Sequence, residues 1–172
     1  MKAEYIDHMG SDLTVVNAAR VSFFKESKWS TEIDKENNRV VKVLKDEDKK
    51  LIKYLATHDH FTPFCHALIT IRETVPLFVA RERFRHNVGF SYNEVSRRYV
   101  SDTPVIWRPE VWRSKPEGSI KQGSGKQFDD QIWADSIYLE ATTRAKVAYD
   151  HLIAAGVAPE QARAVLPQSM YT

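Results

Sequence analysis

Between Ala67 and Val75 the chain alternates, with Leu68, Thr70, Arg72 and Thr74 set against Ile69, Ile71, Glu73 and Val75, a period of two rich in β-branched residues. This is the best strand in the sequence. It constrains the fold because the segments that flank it carry helical spacing instead. Pro76 suits the first turn of a helix in which Leu77, Ala80, Phe84 and Val88 recur about every four residues, predicting helix as far as Gly89. Upstream, Asp46 opens a helix with Leu51, Ile52, Tyr54 and Leu55 on its apolar side, ending near Thr57 to His60. Ser11 and Asp12 can cap a short first helix carrying Leu13, Val16, Ala19 and Val21. A long helix is expected from about Phe128 to Ala155, stopped by Gly156, and a short one is entered by Pro159 and stopped before Pro167. Helices with at least one good strand make the fold class α+β. Residues 25–45 show no sustained period and read as a mobile loop, and residues 114–127, rich in Ser, Gly, Lys and Gln, read as a flexible surface loop.

At 172 residues the chain is long enough to bury about 70% of its unfolded surface as one domain over residues 1–172. A hydrophobic content of 42% excludes a disordered chain. The net charge of +2 means that affinity for a polyanion must come from local clustering. Cys65 is the single cysteine, so no internal disulfide forms and a reducing compartment is expected. The first residues, Met1 to His8, contain no apolar signal region, and no stretch approaches the roughly 18 apolar residues of a membrane span. A soluble, cytoplasmic protein without a membrane partner is the expectation.

The charge is clustered. Residues 81–98 hold five Arg and two Glu, a local charge of +3 in a nearly neutral chain. If the helix continues, Arg81 and Arg85 are i, i+4 neighbours, as are Glu82 and His86. Beyond a bend at Gly89, Ser91, Asn93, Glu94, Ser96 and Arg98 add hydroxyls, an amide, a carboxylate and a guanidinium. Arg matches phosphate through charge-assisted hydrogen bonds, while Asn, Ser and Glu suit a base edge or sugar hydroxyls. The stretch therefore reads either as a nucleotide site or as a solvated, salt-bridged face. A second cluster, His58-Asp59-His60-Phe61-Thr62-Pro63-Phe64-Cys65-His66, has poor spacing for a metal, and no metal is expected. It fits a capped helix end with a turn at Pro63, or a cofactor-lining loop. As a nucleophile Cys65 would need a base, and adjacency to His66 in sequence does not supply the geometry, so it reads as a small core residue. Gly118, Gly123, Gly125 and Lys126 do not satisfy a phosphate-loop pattern.

Arg85-His86-Asn87, followed by eight residues and Ser96, resembles the Arg-His-Arg and distant Ser signature of the flavin-dependent thymidylate synthases. Asn17-Ala18-Ala19-Arg20-Val21-Ser22-Phe23 resembles that family's N-terminal block, and His60-Phe61-Thr62-Pro63-Phe64-Cys65-His66 its His-x-Thr-Pro-Phe-x-His loop. Ser91-Tyr92-Asn93-Glu94-Val95-Ser96-Arg97-Arg98-Tyr99 is similar to its Ser-x-Asn-Glu-x-Ser-x-Arg-Tyr run, and Gln161-Ala162-Arg163-Ala164-Val165-Leu166-Pro167 to its Ala-Arg-x-Val-Leu-Pro block.

The resemblance implies a helix-rich α+β domain with an antiparallel or mixed sheet. It implies reductive methylation of dUMP to dTMP, with 5,10-methylenetetrahydrofolate as carbon donor and FAD relaying electrons from NADPH. By position, Glu82, Arg83, Phe84, Arg85, Glu94, Val95, Ser96, Arg97, Arg98 and Arg163 are implied to bind dUMP. Thr62, Arg85, His86, Asn87, Asn93 and Glu94 are implied to line FAD, with Ser22 and His60 nearby. A homotetramer with sites shared between subunits is implied, and no enzymic thiol is needed. Asn87 stands where the signature has its second Arg, removing a cation from the flavin contact. Glu82 stands where Gln is common, unfavourable beside a phosphate unless Arg81 or Arg85 pairs with it. Family members continue past the Leu-Pro block with flavin-binding Asn residues and an Arg that promotes ionisation of the pyrimidine. This sequence ends at Thr172, so the catalytic residue is left unassigned and low activity is expected of the 172-residue chain. Two other readings stay open: an inactive dUMP- and FAD-binding form, and a nucleic-acid-binding module using residues 81–98. Near-zero net charge and a single basic cluster argue against the latter, so no nucleic acid is expected.

Overall fold

A computed structural model describes residues 1–118 and 123–172 of the chain. The chain divides into two compact units, one of Ala3–Glu73 and one of Met1–Lys2 with Thr74–Thr172. Short sheets among helices give the α+β class that the residue patterns predict. No helix among the described residues is long and apolar enough to cross a membrane.

In the Ala3–Glu73 unit, strand β1 (Lys2–Met9) pairs with β4 (Leu68–Thr74), the strand expected from the alternation. Gly10 follows β1 at φ +80°, and a Cβ there would lie 2.9 Å from the His66 carbonyl oxygen, so both the backbone and the close approach demand glycine. Helix α1 (Asp12–Arg20) begins where Ser11 forms a capping box with Thr14, whose hydroxyl accepts from the Ser11 N–H at 3.0 Å. It packs against α2 (Asp46–Thr57) and the 3₁₀ turn Thr62–His66, burying Val15, Val16, Leu55 and Pro63.

The expected loop over 25–45 is corrected. Ser30–Asp34 (β2) and Arg39–Val43 (β3) form an antiparallel hairpin in the register Ser30 to Val43 through Asp34 to Arg39. Most of both strands is exposed, so no buried face imprints a period of two on the sequence. The turn is nonetheless encoded. Asp34 accepts the Glu36 N–H at 3.0 Å and the Asn37 amide at 2.8 Å, and Asn38 takes φ +48°.

Asp48 lies fully buried in this unit. Its Oδ1 accepts from Arg20 at 2.6 and 3.1 Å, and its Oδ2 accepts from the Ser27 hydroxyl at 2.5 Å. Asn17 pairs with the Ser27 backbone in both directions, at 2.7 and 3.1 Å. Burial pushes the Asp48 carboxyl up, but the Ser27 and Arg20 hydrogen bonds and the charges of Arg20 and Lys45 outweigh it, holding it below the usual carboxylate range.

In the other unit, α3 (Leu77–Arg83), α4 (Gln131–Ala154), α5 (Pro159–Ala162) and the 3₁₀ turn Arg163–Val165 surround a core of Ala80, Tyr149, Ala162 and Met170. Gln168–Thr172 runs as a central ribbon. Thr172 exchanges both backbone hydrogen bonds with Val75, Leu77 donates to Met170, Trp107 to Ser169, and Tyr171 to Val105. Residues 112–114 pair with 125–128, and the Gln131 amide completes the turn by bonding both backbone groups of Trp112. Of the loop expected over 114–127, residues 119–122 lie outside the described residues.

Helix α3 also departs from expectation. It stops at Arg83 rather than near Gly89, and Val88, counted among its apolar positions, is 93% exposed. The Tyr92 hydroxyl shares its single proton between the carbonyls of Arg83 (3.0 Å) and His86 (2.8 Å), acceptors that a continuing helix would have used. Pro76 is the N-cap residue, one position before the first helical turn.

Candidate nucleotide site

The short α3 changes how the Arg-rich stretch is presented. Arg81, Glu82 and Arg83 end the helix, whereas Arg85, His86 and Asn87 stand on the turn beyond it, so the expected i, i+4 pairing does not form along a continuous helix. Arg85 instead pairs with Glu82 at 3.2 Å, which balances the carboxylate that Glu82 brings to the stretch. The turn is held by aromatic packing. Phe84 meets Tyr92 edge-on at 5.1 Å, Phe90 stacks on Tyr92 at 6.0 Å, and the Arg83 guanidinium lies 5.7 Å from the Phe90 ring centroid. Gly89 takes φ +76° between them, at the bend that the sequence marks.

Past the bend, Asn93, Glu94 and Val95 are exposed. Ser96 nucleates a turn by accepting backbone N–H groups from Tyr99 (3.0 Å) and Val100 (3.3 Å), with its hydroxyl facing the Arg98 N–H at 3.4 Å. Arg97 and Arg98 then separate. Arg97 is half-buried and donates to the Asp102 carbonyl of its own loop, while Arg98 is exposed, lies against Tyr99 and reaches Glu160 at 3.5 Å. Glu160 also accepts, through its backbone carbonyl, from Arg163 Nε at 3.1 Å. Arg98 and Arg163, 65 positions apart in the numbering, thus meet at one residue. The structure brings these two together, along with the Ser96 turn, and leaves Arg97 facing elsewhere.

The side chains of His86, Asn87 and Asn93 are exposed and make no hydrogen bond among the described residues. With Arg85 and Glu94 they offer imidazole, amide, guanidinium and carboxylate groups, a donor and acceptor set that fits the phosphates and ring edge of a flavin nucleotide.

Ser22, His60 and Thr62 belong to the Ala3–Glu73 unit and are likewise exposed. Ser22 sits in the 3₁₀ turn Val21–Phe23, which Phe24 ends at φ +55°. Tyr54 backs the His60 loop, with His58 at 4.2 Å and His60 edge-on at 5.9 Å. Thr62 opens the 3₁₀ turn whose Pro63 faces inward. Cys65 in that turn is exposed, correcting the expected core role, and its thiol donates to the Phe61 carbonyl at 3.7 Å. Among the described residues no three of His, Cys, Asp and Glu gather as a metal site.

Sequence reasoning missed two residues that organise the site. Glu160 stands three positions before Arg163 at the start of α5, a spacing visible in the sequence. Tyr92 acts through backbone carbonyls, which no residue pattern marks.

Residues 4–172 match the family model described as thymidylate synthase complementing protein. Flavin-dependent thymidylate synthases from Thermotoga neapolitana and Thermosipho africanus are 36% and 37% identical to it over 171 and 169 residues, 98% and 97% of this chain and 66% and 67% of theirs. That from Streptomyces avermitilis is 36% identical over 172 residues. The chain spans about two thirds of the length of these relatives. Among solved structures, the UMP/dUMP methylase PolB of Streptomyces cacaoi, bound with 5-Br dUMP, aligns over 99% of this chain and 69% of its own, with TM-score 0.76 and 30% identity.

Proposed function

Since the chain belongs to the thymidylate synthase complementing protein family, we propose that it binds dUMP and takes part in its flavin-dependent reductive methylation to dTMP. The observation that supports this most is the meeting of Arg98 and Arg163 at Glu160, beside the Ser96 turn, where two exposed guanidiniums can share one phosphate. Glu82, Arg83, Phe84, Arg85, Glu94 and Val95 complete the proposed nucleotide contacts, whereas Arg97, bonded to the Asp102 carbonyl of its own loop, is not among them. Arg85 keeps its charge near the nucleotide while neutralising Glu82.

FAD is the proposed cofactor, with Arg85, His86, Asn87, Asn93 and Glu94 as its proposed contacts in one unit; Thr62, Ser22 and His60 are proposed flavin contacts of the Ala3–Glu73 unit. When bound, it supplies the reducing equivalents that turn a transferred one-carbon unit into a methyl group. The protein's own part is to bind and orient the pyrimidine and to exclude competing reactions. 5,10-Methylenetetrahydrofolate is the proposed carbon donor and NADPH the proposed reductant. We propose a homotetramer in the cytoplasm, with sites built from more than one subunit.

A second reading extends the substrate to UMP, because PolB, at TM-score 0.76, is described as a UMP/dUMP methylase. The visible absorption of the purified chain, recorded with FAD and then with dUMP or UMP, tests both. A bound-flavin spectrum perturbed by dUMP supports the proposal, and a matching perturbation by UMP supports the wider substrate range. Absence of any flavin or nucleotide response, with salt-sensitive binding to oligonucleotides instead, would overturn it.

A further inference from the structure

Glu160 is joined to two of the proposed nucleotide ligands in different ways. Its carboxylate approaches Arg98 at Nε, 3.5 Å away, and its backbone carbonyl accepts from Arg163 Nε at 3.1 Å. In both arginines the tethered atom is the inner nitrogen of the guanidinium. The terminal nitrogens, which form the fork that matches a phosphate, make no hydrogen bond among the described residues. Tyr99 supports the Arg98 guanidinium on another side, 5.6 Å from its ring centroid.

We propose that Glu160 is a positioning residue for the nucleotide phosphate: it anchors Arg98 and Arg163 by their Nε atoms and leaves their terminal forks free to close on the same anion. The two tethers share one element. α5 begins at Pro159, whose fixed φ suits the first helical turn in which Glu160 lies, and Arg163 caps its end one turn later. Both side chains of the Arg98–Glu160 pair are half-exposed, at 54%, so the pair contributes little to folding. Its effect lies in reducing the rotamer freedom that Arg98 would otherwise lose on binding. Glu160 itself carries a negative charge, which a phosphate would avoid were the carboxylate not turned onto Arg98.

This inference rests on the proposed dUMP site, and the experiment separates the two. Calorimetric titrations of dUMP and of deoxyuridine, which lacks the phosphate, are made into the 172-residue chain and its Arg98→Ala and Glu160→Gln variants. Gln keeps the backbone tether to Arg163 and removes only the carboxylate charge that faces Arg98. Glu160→Gln is expected to weaken dUMP about fivefold and to leave deoxyuridine unchanged, and Arg98→Ala is expected to weaken dUMP tenfold or more. Loss in Arg98→Ala without loss in Glu160→Gln overturns the positioning role, as does tighter dUMP binding in Glu160→Gln, which would make the carboxylate a competitor of the phosphate. A Glu160→Gln loss shared equally by deoxyuridine overturns it too, because a merely structural role would produce it. If Arg98→Ala leaves dUMP affinity intact, the nucleotide reading of this site falls and the positioning role with it.

Discussion

Asp48 carries a charge with no exposure to water, and the Arg20 and Ser27 hydrogen bonds more than offset the cost. Because its folded carboxyl titrates below the ordinary value of 3.8, its contribution to stability is fully present above that pH and is lost as pH falls through the folded value. Asp48→Asn is therefore expected to cost about 2 kcal/mol at pH 7, and urea titrations should show the gap from the parent narrowing below pH 4. A gap that stays constant into acid would place the loss in packing instead. Cys65 is exposed and its one hydrogen bond among the described residues runs to the Phe61 carbonyl, so Cys65→Ser should leave dUMP affinity unchanged by calorimetry. The sequence identifies Arg98 and Arg163 by their resemblance to family blocks. Their meeting at Glu160 depends on where α5 packs, which residue spacing does not carry.

At the scale of elements, periodicity was legible wherever one face is buried or a cap is local. Ser11 starts α1, Asp46 starts α2, the alternation marks β4, and Gly156 ends α4 at φ +85°. It misled where neither holds, as in the exposed β2–β3 hairpin and in the apolar spacing that runs past the end of α3. Tyr92→Phe removes the hydroxyl that closes the α3 turn while keeping both ring contacts. A loss of about 1 kcal/mol is expected, with faster amide exchange confined to residues 83–92. Gly89 and Gly10 both lie at positive φ but differ in surroundings. A Cβ at Gly89 meets nothing within 4 Å, whereas one at Gly10 meets the His66 carbonyl. Gly89→Ala should cost about 1 kcal/mol and Gly10→Ala clearly more, measured as denaturant midpoints.

At the scale of the whole molecule, large apolar side chains stand exposed in both units: Ile69 and Ile71 on β4, Ile132, Trp133 and Ile137 on α4, and Val95 in the candidate site. Surface of this kind supports the proposed homotetramer, and sedimentation equilibrium should return four chains' mass, with a monomer across the micromolar range as the contrary result. The account as a whole turns on one nucleotide held by Arg98 and Arg163. Calorimetric titration of dUMP into the 172-residue chain, repeated with Arg163→Ala, tests that most directly. Saturable binding by the parent, weakened tenfold or more in the variant, is the predicted result. Equal affinity in the two, or no binding by the parent, would contradict it.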